Sequence, residues 1–224
     1  MLCKPDVVIK NEQQVDFNLI PQSPYIENHF SDDQKIEIIS NHFEKILETL
    51  GLDLTDDSIM ETPYRYAKML VKELFSGLKK ENFPKITTQE NKFQYTEMLV
   101  EANIEIKSVC EHHFLPILGY CHIAYFPGNK VVGLSKLNRI AQYFARRPQV
   151  QERMTKQIKE CLCQVLETES VAVVVDGLHM CVRMRGIQDA AGLTRTSDFG
   201  GLFLSHDVRH HFLSTIPGLK DLKI

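Results

Sequence analysis

The sequence predicts an α+β protein: an antiparallel sheet covered on one face by helices, with a helical extension in front of it. Two observations carry this expectation. Apolar residues repeat at helical spacing in four stretches and at a period of two, or as β-branched runs, in four others. Their order is two helices, two strands, two helices, two strands and a tail. Short links between consecutive strands imply antiparallel hairpins, and helices inserted as a pair imply a layer on one face of the sheet.

Residues 1–30 show no sustained periodicity, and Pro21 and Pro24 mark an irregular arm. Ser31 then reads as a helix cap with Asp32 and Asp33 in the first turn. Ile36, Ile39, Phe43, Ile46, Leu47 and Leu50 form one stripe, which Gly51 ends. Thr62 and Pro63 open a second helix with proline at its first position. Ala67, Leu70, Val71 and Leu74 are its expected buried face, with a stop at Gly77. These helices define an N-terminal helical region, 31–92, ahead of a main domain, 93–224.

In that domain Met98, Val100, Ala102, Ile104 and Ile106 alternate with Leu99, Glu101, Asn103, Glu105 and Lys107, a half-buried strand running towards Cys110. A second strand over 117–126 closes at the turn Pro127-Gly128-Asn129. Ser135 is expected to cap a helix carrying Leu137, Ile140, Ala141 and Phe144. Pro148 breaks it and starts another, with Val150, Met154, Ile158, Leu162 and Val165 inward. Ser170 to Asp176 reads as a strand, Gly177 as a turn, and His179 to Arg185 as the returning strand. Residues 186–205 look loop-like with short extended pieces, and a short helix follows.

A chain of 224 residues suffices for one well-buried domain with an appendage. The net charge of −3 gives no reason to expect a nucleic-acid or membrane partner. No apolar run approaches the ~18–20 residues that span a bilayer, and the N-terminus lacks the apolar core of a signal peptide. Cytoplasm is the expected location. There Cys3, Cys110, Cys121, Cys161, Cys163 and Cys181 should be reduced, which favours metal chemistry over a disulfide framework.

The densest chemistry lies between Lys107 and Phe114. Cys110, His112 and His113 fall within four residues, and His179, Met180 and Cys181 form a second cluster. Thiolate and neutral imidazole are the ligands zinc prefers. Cys110, His113 and Cys181 would make a Cys2His set with one position left for water, the catalytic rather than the structural arrangement. The rival reading is coincidental clustering, with His112 merely facing solvent. Cys121, Cys161 and Cys163 read as ordinary packed cysteines.

Between Lys130 and Lys159 stand eight Lys or Arg residues and one acid, Glu152. Arg146, Arg147 and Lys159 read as a solvated face. Ser135, Lys136 and Arg139 instead cluster at a helix start, where aligned N–H groups and cations favour a phosphate. Arg185 could converge there. No P-loop motif is present. Glu152 either pairs with a neighbouring cation or accepts hydrogen bonds from an N–H-rich ligand edge.

Four motifs in order then carry a family resemblance: Cys110-Glu-His-His113, Gly133-Leu-Ser-Lys136, Arg147-Pro-Gln-Val-Gln-Glu-Arg153 and His179-Met-Cys181-Val-Arg-Met-Arg185. Over about residues 31–214 the chain resembles GTP cyclohydrolase I. The resemblance implies the tunnelling fold, an antiparallel ββααββ core whose subunits join sheets into an oligomeric β-barrel. It implies a homodecamer with active sites at subunit interfaces.

It further implies Zn2+ on Cys110, His113 and Cys181, and proton transfer by His112 and His179. By the same resemblance, guanine would be recognised by Glu152 with Gln151, and the triphosphate bound by Lys136, Arg139, Arg185 and a neighbour's Lys68. Ser135 makes a ribose or phosphate contact. The implied reaction hydrolyses and rearranges GTP to 7,8-dihydroneopterin triphosphate with release of formate, opening folate or tetrahydropterin biosynthesis. The chain departs from the family in one place: Gly192 stands where a serine is common, in the run Ala191-Gly-Leu-Thr-Arg-Thr-Ser-Asp198.

Two alternatives stand beside this one. The first is another tunnelling-fold pterin or deazapurine enzyme. The second is a structural zinc protein closed by a fourth ligand, for which Cys121 is the nearest spare thiol. Cytidine-type deaminases are disfavoured, because His-x-Glu and Pro-Cys-x-x-Cys are absent.

Overall fold

A computed structural model describes residues 12–218. Cys3 and the first part of the arm lie outside them. The rest of the arm is not a loose lead-in. Ile20 is buried in the main core with Phe17 packed beside it. The backbone N–H of Asp16 donates to Gln164 Oε1 at 2.8 Å.

Helix α1 spans Asp32–Thr49 and starts as expected. Ser31 Oγ accepts from the backbone of Gln34, whose side chain accepts from the backbone of Ser31. This reciprocal box satisfies two donors that would otherwise be orphaned. Helix α2 spans Thr62–Met69 with Pro63 in its first turn and continues as a π-helical turn through Leu74. Phe43 of α1 stacks on Tyr66 of α2, ring centres 3.9 Å apart. Asp32 pairs with Lys72 at 2.8 Å and also with Lys79. Ile36 and Leu47 of the α1 stripe are buried, but Ile46 and Leu50 are exposed. One chain therefore uses only part of that apolar face.

A two-stranded ribbon pairs β1 (Thr88–Glu90) with β4 (Lys130–Val132). The main sheet has the order β5-β2-β3-β6-β7. Its strands are β2 (Leu99–Cys110), β3 (Pro116–Tyr125), β5 (Pro148–Gln149), β6 (Val171–His179) and β7 (Thr194–Phe199). All pairings are antiparallel except β5, which runs parallel to the end of β2. Helices α3 (Leu134–Ala145) and α4 (Gln151–Leu166) cover one face. Their buried residues Leu137, Ile140, Phe144, Met154, Ile158 and Leu162 meet Ile104, Ile106, Cys121, Ile123, Val173 and Val175.

Several expectations change here. The alternation before Cys110 does not stay on one face. The β2–β3 register shifts between Glu101 and Ile104, and Asn103 sits at φ +59°. This bulge flips the strand, as an extra residue must. Ile104 and Ile106 face the helices, whereas Met98, Val100 and Ala102 join Ala124, Val174, Phe203 and Phe212 in a second cluster behind the sheet. Phe212 belongs to α6 (His206–Thr215), the expected final helix, so part of the second face is covered too.

Gly177 is not a turn. It continues β6 opposite Gly119, and a β-carbon there would overlap the Gln151 side chain. The glycine serves close approach, not reversal. The chain leaves β6 through a short helix, α5 (Met180–Arg183), and the strand that returns against β6 is β7, an extended piece within the otherwise loop-like stretch.

Ser135 is no cap: the N-cap of α3 is Gly133, and Ser135 lies exposed in the first turn. Pro148 lies in β5, and α4 begins only at Gln151. Arg147 and Lys159 are buried, not solvated. The Arg147 guanidinium lies 4.7 Å from the ring centres of Tyr143 and Phe144, and Lys159 pairs with Glu160.

A buried polar chain crosses the second face. His122 Nδ1 accepts from the N–H of Asn103 at 3.2 Å, and its Nε2 lies 3.2 Å from Asp176 Oδ2. Asp176 takes a two-pronged bond from Arg195, at 2.6 and 2.8 Å, and Arg195 donates on to Pro217 O. Burial pushes the Asp176 carboxyl up, but the Arg195 and His122 contacts outweigh it and hold it below the usual carboxylate range. Among the described residues no helix is long and apolar enough to cross a membrane.

Candidate metal centre and active site

The end of β2, the tight turn after it and the end of β6 bring three ligands together. Cys110 N–H donates to Leu115 O and Phe114 N–H to Cys110 O, both at 2.8 Å, closing the turn that holds His112 and His113. Phe114 completes it in the left-handed region at φ +52°. Glu111 N–H donates to Gln149 O at 3.0 Å, anchoring the turn to β5. Glu111 also pairs with Arg153 of α4. Because Ile117 of β3 is in register with His179 of β6, the residue two beyond His179 arrives beside the turn. The ligand atoms of Cys110, His113 and Cys181 all lie within 4.8 Å of one another.

The donor chemistry fits a metal ion. Burial, and then the neighbouring Cys110 thiol, push the Cys181 thiol above its ordinary value. Two adjacent sulfurs cannot both ionise cheaply without a cation between them. No fourth His, Cys, Asp or Glu joins the group among the described residues. Cys121 in particular is fully buried in the core, and burial drives its thiol strongly upward. Cys161 and Cys163 are buried in the same core, Cys163 pushed up to about 12 by its burial.

Other expected site residues gather around the cluster. His112 is exposed, with Nδ1 3.9 Å from Cys110 Sγ. Arg185 Nη1 lies 2.7 Å from His113 Nε2. His179 Nε2 lies 2.7 Å from Gln151 Oε1. Burial pushes the His179 imidazole below its ordinary value, while the Glu152 carboxylate opposes that shift. Glu152 itself is exposed in the first turn of α4 and makes no ion pair among the described residues.

Ser135, Lys136, Arg139 and Lys68 make no hydrogen bond or ion pair with this group among the described residues. Lys136 donates to Lys85 O at 2.8 Å. Arg139 lines a cavity of about 370 Å³ with Lys72, Gln142 and Arg146. Lys68 is exposed on α2. Thr155, Thr194 and Thr196 surround Gln151; the latter two belong to the 191–198 run quoted from the sequence, but their contacts with α4, across 41 to 45 positions, are made only by folding.

Fold and site together define a class: α+β proteins with an open Cys2His cluster, the ligand set of catalytic metal centres. The chain belongs to the GTP cyclohydrolase I family, whose model matches residues 39–217. It is 49% identical to GTP cyclohydrolase 1 of Flavobacterium johnsoniae over 217 residues, covering 93% of this chain and 97% of that one. It is 50% identical to the Aeromonas salmonicida protein of the same name, over 88% of this chain and 91% of the relative. It is 49% identical to that of Escherichia coli, over 88% of each.

Proposed function

We propose that this protein is a zinc-dependent GTP cyclohydrolase that converts GTP to 7,8-dihydroneopterin triphosphate and formate, an entry step of folate or tetrahydropterin biosynthesis. The observation that carries the reading is the three-ligand cluster of Cys110, His113 and Cys181, within 4.8 Å, in a member of this family. Two thiolates and one imidazole suit zinc among the common divalent ions. Bound there, zinc supplies a Lewis acid and an acidified water for attack on C8 of the guanine ring.

The remaining steps fall to side chains. Glu152, exposed and unpaired, accepts the N–H edge of guanine and orients C8 towards the cluster. His112 and His179 flank the cluster and move protons as the imidazole ring opens, work suited to imidazole near neutral pH. Arg185, Lys136, Arg139 and a neighbouring subunit's Lys68 offset the triphosphate charge, and Ser135 contacts ribose or phosphate. That division fits a single chain in which Arg185 reaches the cluster while Lys136, Arg139 and Lys68 stay apart from it.

It also fits a tunnelling-fold homodecamer, with 31–92 as a helical region and 93–224 as the catalytic domain. All five described cysteines are free thiols, in keeping with a cytoplasmic enzyme. The test is direct. Purified protein incubated with GTP should yield formate and, after oxidation, a fluorescent pterin in equal amounts. A metal-replete protein yielding neither would remove the proposal.

A further inference from the structure

The sequence pairs Gln151 with Glu152 in base recognition. The geometry assigns Gln151 another role. We propose that it is a positioning residue whose side chain fixes the tautomer of His179 and is not spent on the substrate. This rests on the reading of His179 as a proton-transfer residue of a GTP cyclohydrolase.

Gln151 is 2% exposed although its neighbour Glu152 faces solvent. Its amide is fully committed. Nε2 lies 2.9 Å from Val175 O, 2.9 Å from Thr194 O and 3.2 Å from Thr196 Oγ1. The first two are backbone carbonyls, which only accept. They settle the amide's orientation, because the flipped amide would set its oxygen against two carbonyl oxygens. Oε1 therefore faces His179, 2.7 Å from Nε2.

An amide oxygen also only accepts, so His179 Nε2 must carry the hydrogen. A neutral imidazole has one N–H. Nδ1 is then left with a free lone pair and is the nitrogen able to exchange a proton.

The clamp is itself braced. Thr155 Oγ1 donates to Gln151 O at 2.9 Å and lies 2.6 Å from Thr196 Oγ1. Strands β6 and β7 and helix α4 thus converge on one amide. The missing β-carbon of Gly177 makes room for it. A partner behind a histidine that sets its tautomer is a familiar way of fixing its role. Base recognition is left to Glu152.

The test uses full-length, zinc-loaded protein labelled with ¹⁵N-histidine. The His179 signals are assigned by difference against His179→Asn. Nitrogen shifts should show His179 protonated at Nε2 and bare at Nδ1. Gln151→Met keeps the length and removes the acceptor. It should give a mixture of tautomers and a kcat lowered at least about tenfold, with KM for GTP within about threefold and zinc content unchanged.

An Nδ1–H tautomer in the unmodified protein would overturn the proposal, even if the variant does not fold. So would a Gln151→Met enzyme with raised KM and intact kcat, which would make Gln151 a substrate contact. The tautomer is read from the spectrum whether or not GTP turns over, so failure of the functional reading and failure of this proposal are told apart.

Discussion

Single residues set the chemistry, and three substitutions test it. Cys181→Ser removes one of two thiolates from a three-ligand set. The purified variant should lose most of its zinc by elemental analysis, and full retention would take Cys181 out of the site. Glu152→Gln keeps shape but replaces an acceptor oxygen with a donor. A site built on hydrogen bonds discriminates strongly against such a mismatch. GTP turnover should fall ~100-fold or more, on the order of 3 kcal/mol, and near-normal kinetics would end the base-recognition role.

Arg195→Ala leaves the wholly buried Asp176 carboxylate with only His122. Stranding a buried charge costs about 3 kcal/mol, visible as a lowered urea midpoint. The double change with Asp176→Asn should recover part of it. Acid should act through the same pair. The folded Asp176 carboxyl is held low, so its stabilisation is complete above the unfolded value of ~3.9. It is lost as pH falls through the folded one. The gap between Arg195→Ala and the parent should therefore narrow as pH falls below that unfolded value, followed by urea midpoints across the acid range.

Elements are set by short signals where those signals are local. The Ser31 box and the Gly51 stop, at φ +80°, bound α1 as the sequence implies. The signal fails where a long-range partner decides. Asn103 carries a left-handed conformation inside an alternating run, and alternation alone hides it. A β-branched residue there should cost about 1–2 kcal/mol. Asn103→Gly should be nearly neutral by comparison, since glycine adopts that backbone freely. Equal losses for valine and glycine in denaturant titrations would mean that the side chain, not the backbone, matters. Arg147 is illegible for a related reason: a cation followed by proline looks solvated until two aromatic rings fold over it.

At the scale of the whole molecule, the exposed Ile46 and Leu50 on α1 and the separation of Lys68, Lys136 and Arg139 from the Cys-His-Cys cluster fit a shared-site assembly. A triphosphate needs several cations, and of the four expected to bind it only Arg185 contacts the cluster among the described residues. Co-expressing a Lys68→Ala chain with a Glu152→Ala chain tests this. If neighbouring subunits share each site, some mixed sites hold both residues intact, and partial activity should return in a large symmetric oligomer by light scattering. A fully active monomer, or no recovery in verified mixed oligomers, would refute the shared site.

Local facts are legible in the chain: which residues could hold a metal ion, where α1 and α2 begin, which side chains of α4 face inward, and, through four ordered motifs, the family. Helix periods, caps and short ligand spacings are written in neighbouring residues, so no folded partner is needed to read them. Folding settles the rest: the flip at Asn103, the return strand from 194–199, the buried His122–Asp176–Arg195 chain and the clamp on Gln151. Each depends on groups many residues apart. Gln151 meets Thr194 across 43 positions, and only the folded sheet brings an amide against two carbonyls and leaves it one direction to point.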